Sequence, residues 1–271
     1  MRVLRITVTA IFIVVSVIFS IFYIGEKLNT DTTVPTIKID EQLLEVSFDA
    51  DDAELLKGVT AYDGKDGDLT DRIIVQSVSK FIDDGICKVT YAVCDSNNNV
   101  STATRKIQYK DYVSPRFSMS RSTCYSIYEG VSISQAIQAY DCIDGDISRS
   151  IIVTSEDFTS SVAGVFKLDV SVTNSKGDTS IINIPLVVED RNISAPEIEL
   201  KEYLVYTGVG KSVDFSEYLV RAEDYSGADI TSSVRIEENV DFLTPGTYSV
   251  HYYVADYKGV QGHTILNVIV G

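Results

Sequence analysis

The sequence predicts an all-β chain: three tandem small antiparallel β-sandwiches behind one N-terminal transmembrane helix. Three observations carry that expectation. Residues 6–24 form an apolar run without a charge. A set of landmarks then recurs three times, its leading prolines 80 and 81 residues apart. Beyond residue 30 no long amphipathic helical pattern appears, whereas stretches alternating with period two do.

The apolar run, Ile6 to Ile24, is 19 residues long. At ~1.5 Å per residue it crosses a hydrocarbon core of roughly 30 Å. Arg2 and Arg5 precede it and Gly25-Glu26-Lys27 follows. Positive residues are retained on the cytoplasmic side, so the N-terminus is expected inside and the remainder outside. The alternative is a cleaved signal peptide, whose apolar region is usually ~7–15 residues and ends at an A-x-A-like site. Here the run ends Ser20-Ile-Phe-Tyr-Ile-Gly25, with bulky residues at the critical spacing and no lipobox-type Cys. Residues 1–30 are therefore expected to be a cytoplasmic stub and an uncleaved signal anchor in the cell membrane.

Each repeat opens with a Pro and an alternating stretch: Pro35-Thr-Ile-Lys-Ile39, Pro115-Arg-Phe-Ser-Met119 and Pro196-Glu-Ile-Glu-Leu200. Next comes a short segment (Ala53–Lys57, Ser132–Ile137, Asp214–Leu219) that reads as a loop or one helical turn, capped by Ser or Asp. An A-x-D step leads into an acidic turn: Asp63-Gly-Lys-Asp66-Gly-Asp68, Asp141-Cys-Ile-Asp144-Gly-Asp146, and Asp224-Tyr-Ser-Gly-Ala-Asp229. A Gly then starts a half-buried strand (Gly85–Val93, Gly164–Val172, Gly246–Val254), in which Tyr91, Val170 and Tyr252 occupy one position. Asn-, Asp- and Gly-rich turns follow, and a last strand closes each unit: Thr104–Tyr109, Ile181–Val188 and Thr264–Val270. Short strands with turn signals, in units of this size, make small antiparallel sandwiches.

These landmarks, P-x-I-x-L, A-x-D-x-x-D-G-D-I-T and G-x-Y-x-V-x-Y-x-V-x-D-x-x-G-N, resemble tandem bacterial immunoglobulin-like domains of the pesticidal crystal protein type, distantly similar to hyalin repeats. The resemblance covers residues 35–271 and implies three immunoglobulin-like domains, at 35–113, 114–194 and 195–271, on a Gram-positive-type cell surface. The family supplies spacers and adhesins to many proteins, so it speaks to fold more than to function. The chain departs from it at Cys87, which replaces an aromatic, at Asn174, which replaces an Asp, and in the third copy, which lacks D-G-D.

Charge and chemistry narrow the function. With 39 acidic against 23 basic residues the net charge is −16, which argues against nucleic-acid binding. Asp63, Asp66 and Asp68, and likewise Asp141, Asp144 and Asp146, could offer oxygens to Ca²⁺. Their spacing differs from an EF-hand loop. The first and last Asp persist in all three copies while Gly227 replaces the middle one, which favours a structural turn. The acidic junctions Lys110–Pro115 and Glu189–Pro196 read as short linkers before Ca²⁺ sites.

Four Cys (Cys87, Cys94, Cys124, Cys142) allow three full pairings. Cys87 and Cys94 should face opposite sides of one strand, and Cys124–Cys142 could close a loop in the second repeat. The two His, His251 and His263, both lie in the third copy, His251 on the outward parity of its strand. With no Cys or paired carboxylate nearby in sequence they predict no zinc site and no catalytic set. Tyr62, Tyr140 and Tyr253 could offer aromatic platforms to a sugar, although Tyr commonly packs edges and ends of sandwiches.

The expected protein is thus a non-catalytic, membrane-anchored extracellular stalk or adhesion protein, its partner an unidentified extracellular protein or glycan. Two further readings stand beside it: a Ca²⁺- or glycan-binding module, and an accessory subunit of a surface enzyme. No other cofactor is expected. The chain stops at Gly271, one residue past the last strand, so the three β-domains are expected to be the extracellular payload.

Overall fold

The computed structural model describes residues 2–29, 32–127, 129, 133–155 and 161–271. The N-terminal helix runs Arg2–Asn29. Its stretch Arg5–Gly25 is 21 residues long, has mean hydropathy 2.5 and is not buried against the rest of the protein. A helix apolar on all sides and buried by nothing is long and apolar enough to cross a bilayer once. Everything after it is mostly β, organised as small sheets that resemble immunoglobulin-like sandwiches. The chain divides into two compact units, Met1–Asp111 and Tyr112–Gly271.

In the first unit, Thr36–Ile39 pairs antiparallel with Val59–Asp63, which continues to Gly67–Asp68. The facing sheet has the order Leu43–Val46, Val100–Tyr109, Ile86–Cys94, Ile74–Val78. Its first pair is parallel and the others antiparallel. The chain therefore leaves one sheet at Ile39 and joins the other at Leu43, adding a parallel strand that the sequence pattern does not reveal. Alternation sends Cys87, Val89, Tyr91 and Val93 inward onto Val59, Ala61, Leu69 and Ile107. Cys94, at the other parity, is half-buried, as expected. The short segment is a helical turn, Asp52–Leu55, capped by the Asp51 side chain at the Glu54 N–H. The Tyr91 hydroxyl donates to the Leu55 carbonyl at 2.6 Å and accepts from Arg105 Nε at 2.8 Å. A buried guanidinium thus fastens that turn to the main sheet.

The second unit repeats this pattern twice. Arg116–Met119, Ile137–Asp141 and Gly145–Asp146 form one small sheet, facing the order Ile152–Ser155, Gly164–Thr173, Thr179–Glu189, Cys124–Ser126. Glu197–Leu200 pairs with Leu219–Glu223, facing the order Leu204–Thr207, Gln261–Val270, Gly246–Ala255, Arg235–Glu238. The short segments are helical turns at Ile133–Ala136 and Phe215–Tyr218, the latter capped by Asp214. Ser132, where the expected segment begins, lies outside the described residues. Tyr252 repeats the hydroxyl pin, donating to the Phe215 carbonyl at 2.8 Å. Val170 holds that position in the second copy and has no hydroxyl to offer.

The closing strand of the last copy is covered on both faces. Leu266, Val268 and Val270 fill its own core. On the opposite face Ile265 packs with Cys124 and Val187, and Ile269 against the second copy's core, which also takes in Leu204. Polar groups lock the same contact. Asn267 Nδ2 donates to Thr123 Oγ1 at 3.3 Å, the Ile265 N–H to Ser122 Oγ at 3.1 Å, and the Phe117 N–H to the Tyr206 hydroxyl at 3.0 Å. Gly262 is needed here because any β-carbon would run into the Pro196 carbonyl.

Ile265 is fully buried between the two copies. Ile265→Ala is expected to destabilise the second unit by about 2–5 kcal/mol through the cavity it leaves. In denaturant unfolding of the full chain, only the transition of the second unit should move; a shift confined to the first would contradict the packing.

Candidate functional site

The six carboxylates marked in the sequence sit in two turns of one design. Asp63 Oδ1 accepts from the N–H groups of Lys65 at 2.8 Å and Asp66 at 3.0 Å. Asp141 Oδ1 does the same for Ile143 and Asp144, at 2.9 and 3.0 Å. Asp68 and Asp146 accept from the N–H groups of Thr70 and Ser148, both at 2.9 Å. The middle residue reaches further. Asp66 accepts from the Ser96 N–H and hydroxyl at 2.6 and 2.8 Å, and Asp144 from those of Ser175 at 2.6 and 2.7 Å. Each therefore ties the acidic turn to the hairpin turn between the two long strands.

The third copy keeps the first and last contacts through Asp224 and Asp229, and with Gly227 it dispenses with the bridge. This is the geometry of turn closure. Among the described residues none of these turns gathers three acidic ligand atoms around one point.

These bonds set the acid response of the turn. The Ser96 N–H and hydroxyl hold the Asp66 carboxyl below its ordinary value of 3.8. A carboxyl lowered in the folded chain contributes stability above its ordinary pKa, and that contribution is lost as pH falls through the lowered value. An NMR titration should place the Asp66 midpoint below 3.8, and Ser96→Ala should move it upward. A midpoint unaffected by Ser96→Ala would show the side-chain bridge open in solution.

The group that does converge lies elsewhere, and sequence spacing argued against it. Cys124, Glu189 and His263 each place one ligand atom within 4.8 Å of the others'. His263 Nδ1 is 2.5 Å from Glu189 Oε1 and 3.4 Å from Cys124 Sγ. A carboxylate only accepts, so Nδ1 carries the hydrogen in this contact. The other ring nitrogen, Nε2, lies 2.9 Å from His251 Nδ1. Arg191 Nη2 donates to Cys124 Sγ at 2.9 Å, to the His263 carbonyl at 3.0 Å and to Glu189 Oε2 at 3.3 Å. Tyr253 stacks on His263 with centroids 4.4 Å apart, and the Arg235 guanidinium lies over the Tyr253 ring, 5.5 Å from its centroid.

The expectation of no zinc-type group at the histidines is therefore corrected. His251 faces outward as its parity implies, and His263 points out of the same sandwich, onto the face where the second copy packs. The possible Cys124–Cys142 bridge is not formed. Cys124 belongs to this cluster, while Cys142 Sγ faces the Val113 carbonyl at 3.4 Å. The junction read as a plain linker supplies Glu189 and Arg191.

Electrostatics follow from burial. Desolvation pushes the Cys124 thiol up to about 12 against the pull of Arg191. Burial also opposes the Glu189 carboxylate, yet its bond to His263 and the charges of His263 and Arg191 together bring it down to about 2. The His251 ring is lowered by desolvation first and by His263 second. A cleft of about 460 Å³, lined by Cys124, His263, Arg191, Glu129 and Tyr203 among others, opens this cluster to solvent. Cys124, Glu189 and His263 could hold a metal ion; the same residues serve as a polar latch.

Residues 206–270 match the family described as "Bacterial surface protein, Ig-like domain". Over 145 residues, 53% of the chain, it is 30% identical to pesticidal crystal protein Cry22Aa of Bacillus thuringiensis, covering 19% of that protein. Over 140 residues, 49% of the chain, it is 31% identical to an uncharacterized 81.3 kDa protein of Acholeplasma phage L2, covering 18% of it. The chain thus spans about a fifth of the length of the curated relatives it matches. Among solved structures, human CDH23 EC21-23 aligns over 88% of this chain and all of its own length, at 14% identity and a TM-score of 0.23. The segment from Tyr206 to Val270 thus carries the sequence signature of Ig-like domains found in bacterial surface proteins.

Proposed function

We propose that this chain is a non-catalytic, membrane-anchored surface protein. In this reading three tandem immunoglobulin-like domains, residues 35–113, 114–194 and 195–271, are displayed outside the cell as a stalk or adhesion module. The observation that carries the reading is the apolar helix, long enough to span a bilayer, unburied and followed within a few residues by the first sandwich strand at Thr36. Arg2 and Arg5 ahead of the span favour a cytoplasmic N-terminus. The match of residues 206–270 to an Ig-like domain of bacterial surface proteins supports the extracellular placement of the rest.

The partner in this reading is an extracellular protein or a glycan. Tyr62 and Tyr140 stand exposed beside the acidic turns of the first two copies, and Tyr225 and Tyr257 in the two neighbouring turns of the third. Exposed aromatic rings with a wet hydroxyl suit contact surfaces. The acidic turns act as braces, so Ca²⁺ is not required for folding in this account.

Topology tests the proposal directly. A tag appended after Gly271 should be removed when protease is added to intact cells, while a tag before Met1 should survive. The mature chain should keep its N-terminal tag. A protected C-terminal tag, or loss of the N-terminal one during export, would refute the anchored arrangement.

A further inference from the structure

We propose that Cys124, Glu189 and His263 bind one divalent transition-metal ion of the zinc type, pinning the second copy of the sandwich to the third. The donor set decides the class of ion. One thiolate, one imidazole and one carboxylate suit zinc and its neighbours, whereas calcium and magnesium take oxygen ligands alone. Tetrahedral zinc, with bonds near 2.0–2.3 Å, holds its ligand atoms about 3.5 Å apart. Sulfur and nitrogen stand 3.4 Å apart already, while the Glu189–His263 contact, at 2.5 Å, must open.

The surroundings of these three groups point the same way. His263 would present Nδ1 to the metal, and its Nε2 already meets His251 Nδ1 at 2.9 Å. A metal-bound imidazole commonly donates through its other nitrogen, which fixes tautomer and ring orientation. Tyr253, stacked on the ring, prevents it from turning away. Arg191, donating to Cys124 Sγ, would remain as a hydrogen-bond donor to the thiolate. With a divalent ion, one thiolate and one carboxylate the site is neutral before Arg191 is counted. The cleft provides an entry route and leaves a fourth position open to water.

Binding exchanges the thiol proton of Cys124 for the metal. Cys124 releases its thiol proton to solvent, and His263 binds as the neutral imidazole through Nδ1, its ring hydrogen exchanged through water to Nε2 and donated to His251 Nδ1. The sulfur, nitrogen and one Glu189 oxygen then each bond the ion. Coordination deprotonates a thiol outright, so a high thiol pKa in the metal-free chain lowers affinity at acid pH without preventing binding.

Titration of the full chain in detergent with Co²⁺ tests the site. One equivalent should bind with a thiolate-to-cobalt charge-transfer band and tetrahedral d–d intensity, and Zn²⁺ should displace it. The band should persist in a Cys94→Ser/Cys142→Ser double variant. It should vanish in Cys124→Ser, and affinity should fall more than about 100-fold in His263→Gln and roughly 10–100-fold in His251→Phe. Absence of a stoichiometric band in the wild-type chain overturns the proposal, as does a band that survives Cys124→Ser or a Co²⁺ affinity that His263→Gln leaves unchanged. If Cys124→Ser does not fold, the wild-type titration and the milder Glu189→Gln variant, which should weaken binding while the sandwich stays intact, decide the matter.

Discussion

A β-strand shows alternate residues to opposite sides, and in this chain one strand is apolar on both. Gln261–Val270 turns Leu266, Val268 and Val270 into its own sandwich and Ile265 and Ile269 away from it. Fully burying one such side chain is worth about 1.5–3 kcal/mol. Net stabilities of whole domains are only about 5–15 kcal/mol. A second apolar face of this size must therefore be covered, and the second copy covers it with Val187, Cys124 and its own core edge. The division into two compact units, and the placement of every residue in the polar cluster, depend on that coverage.

This constraint also explains which parts of the molecule could be read from sequence. The long central strands, the acidic turns and the helical turns were legible because each repeats with its own local signature. The strands Leu43–Val46, Cys124–Ser126 and Leu204–Thr207 were not: three or four residues carry no measurable period, and their parallel pairing is with a strand far along the chain. A hint of the covered face was present. In the first copy the closing strand reads Val-Ser-Thr-Ala-Thr-Arg-Lys-Ile-Gln-Tyr, polar on its outer face, whereas the third reads Gln-Gly-His-Thr-Ile-Leu-Asn-Val-Ile-Val. Parity correctly placed His251 outside its own core, and His263 on the neighbouring strand faces the same way. It could not say that outside was another sandwich. The cluster itself had no local spacing to find, since 139 residues separate Cys124 from His263.

The acidic turns show the opposite case, in which divergence between copies follows from local electrostatics. Where the second copy carries Asn174, its Nδ2 donates to Asp141 Oδ2 at 3.1 Å and to the Tyr112 hydroxyl at 2.8 Å. Two carboxylates at that separation would repel, and Asn removes the repulsion while its Oδ1 still accepts from the Asp178 N–H. The Tyr112 hydroxyl donates in turn to Asp178 Oδ2 at 2.6 Å, completing a small half-buried network at the start of the second unit. The middle Asp is dispensable because it links two turns and closes neither. The first and last close a turn each, and they are the ones that every copy retains.

The junction between the second and third copies combines an apolar patch with a charged one, and the two contribute differently. The apolar patch supplies association without direction, since burial of Ile265 would tolerate small sliding. A buried charge cluster adds little net stability against its desolvation cost, but leaving one member unpaired is expensive. Arg191 shows this tightness: its Nη2 serves three acceptors while its buried Nε has none among the described residues. Any rotation of one copy on the other would strand Glu189 or Arg191 away from His263 in a half-desolvated cleft. The cluster therefore selects one placement of the two sandwiches out of the several that the apolar face alone would allow. An ion held by three of its members would sharpen that selection, because coordination fixes angles as well as distances.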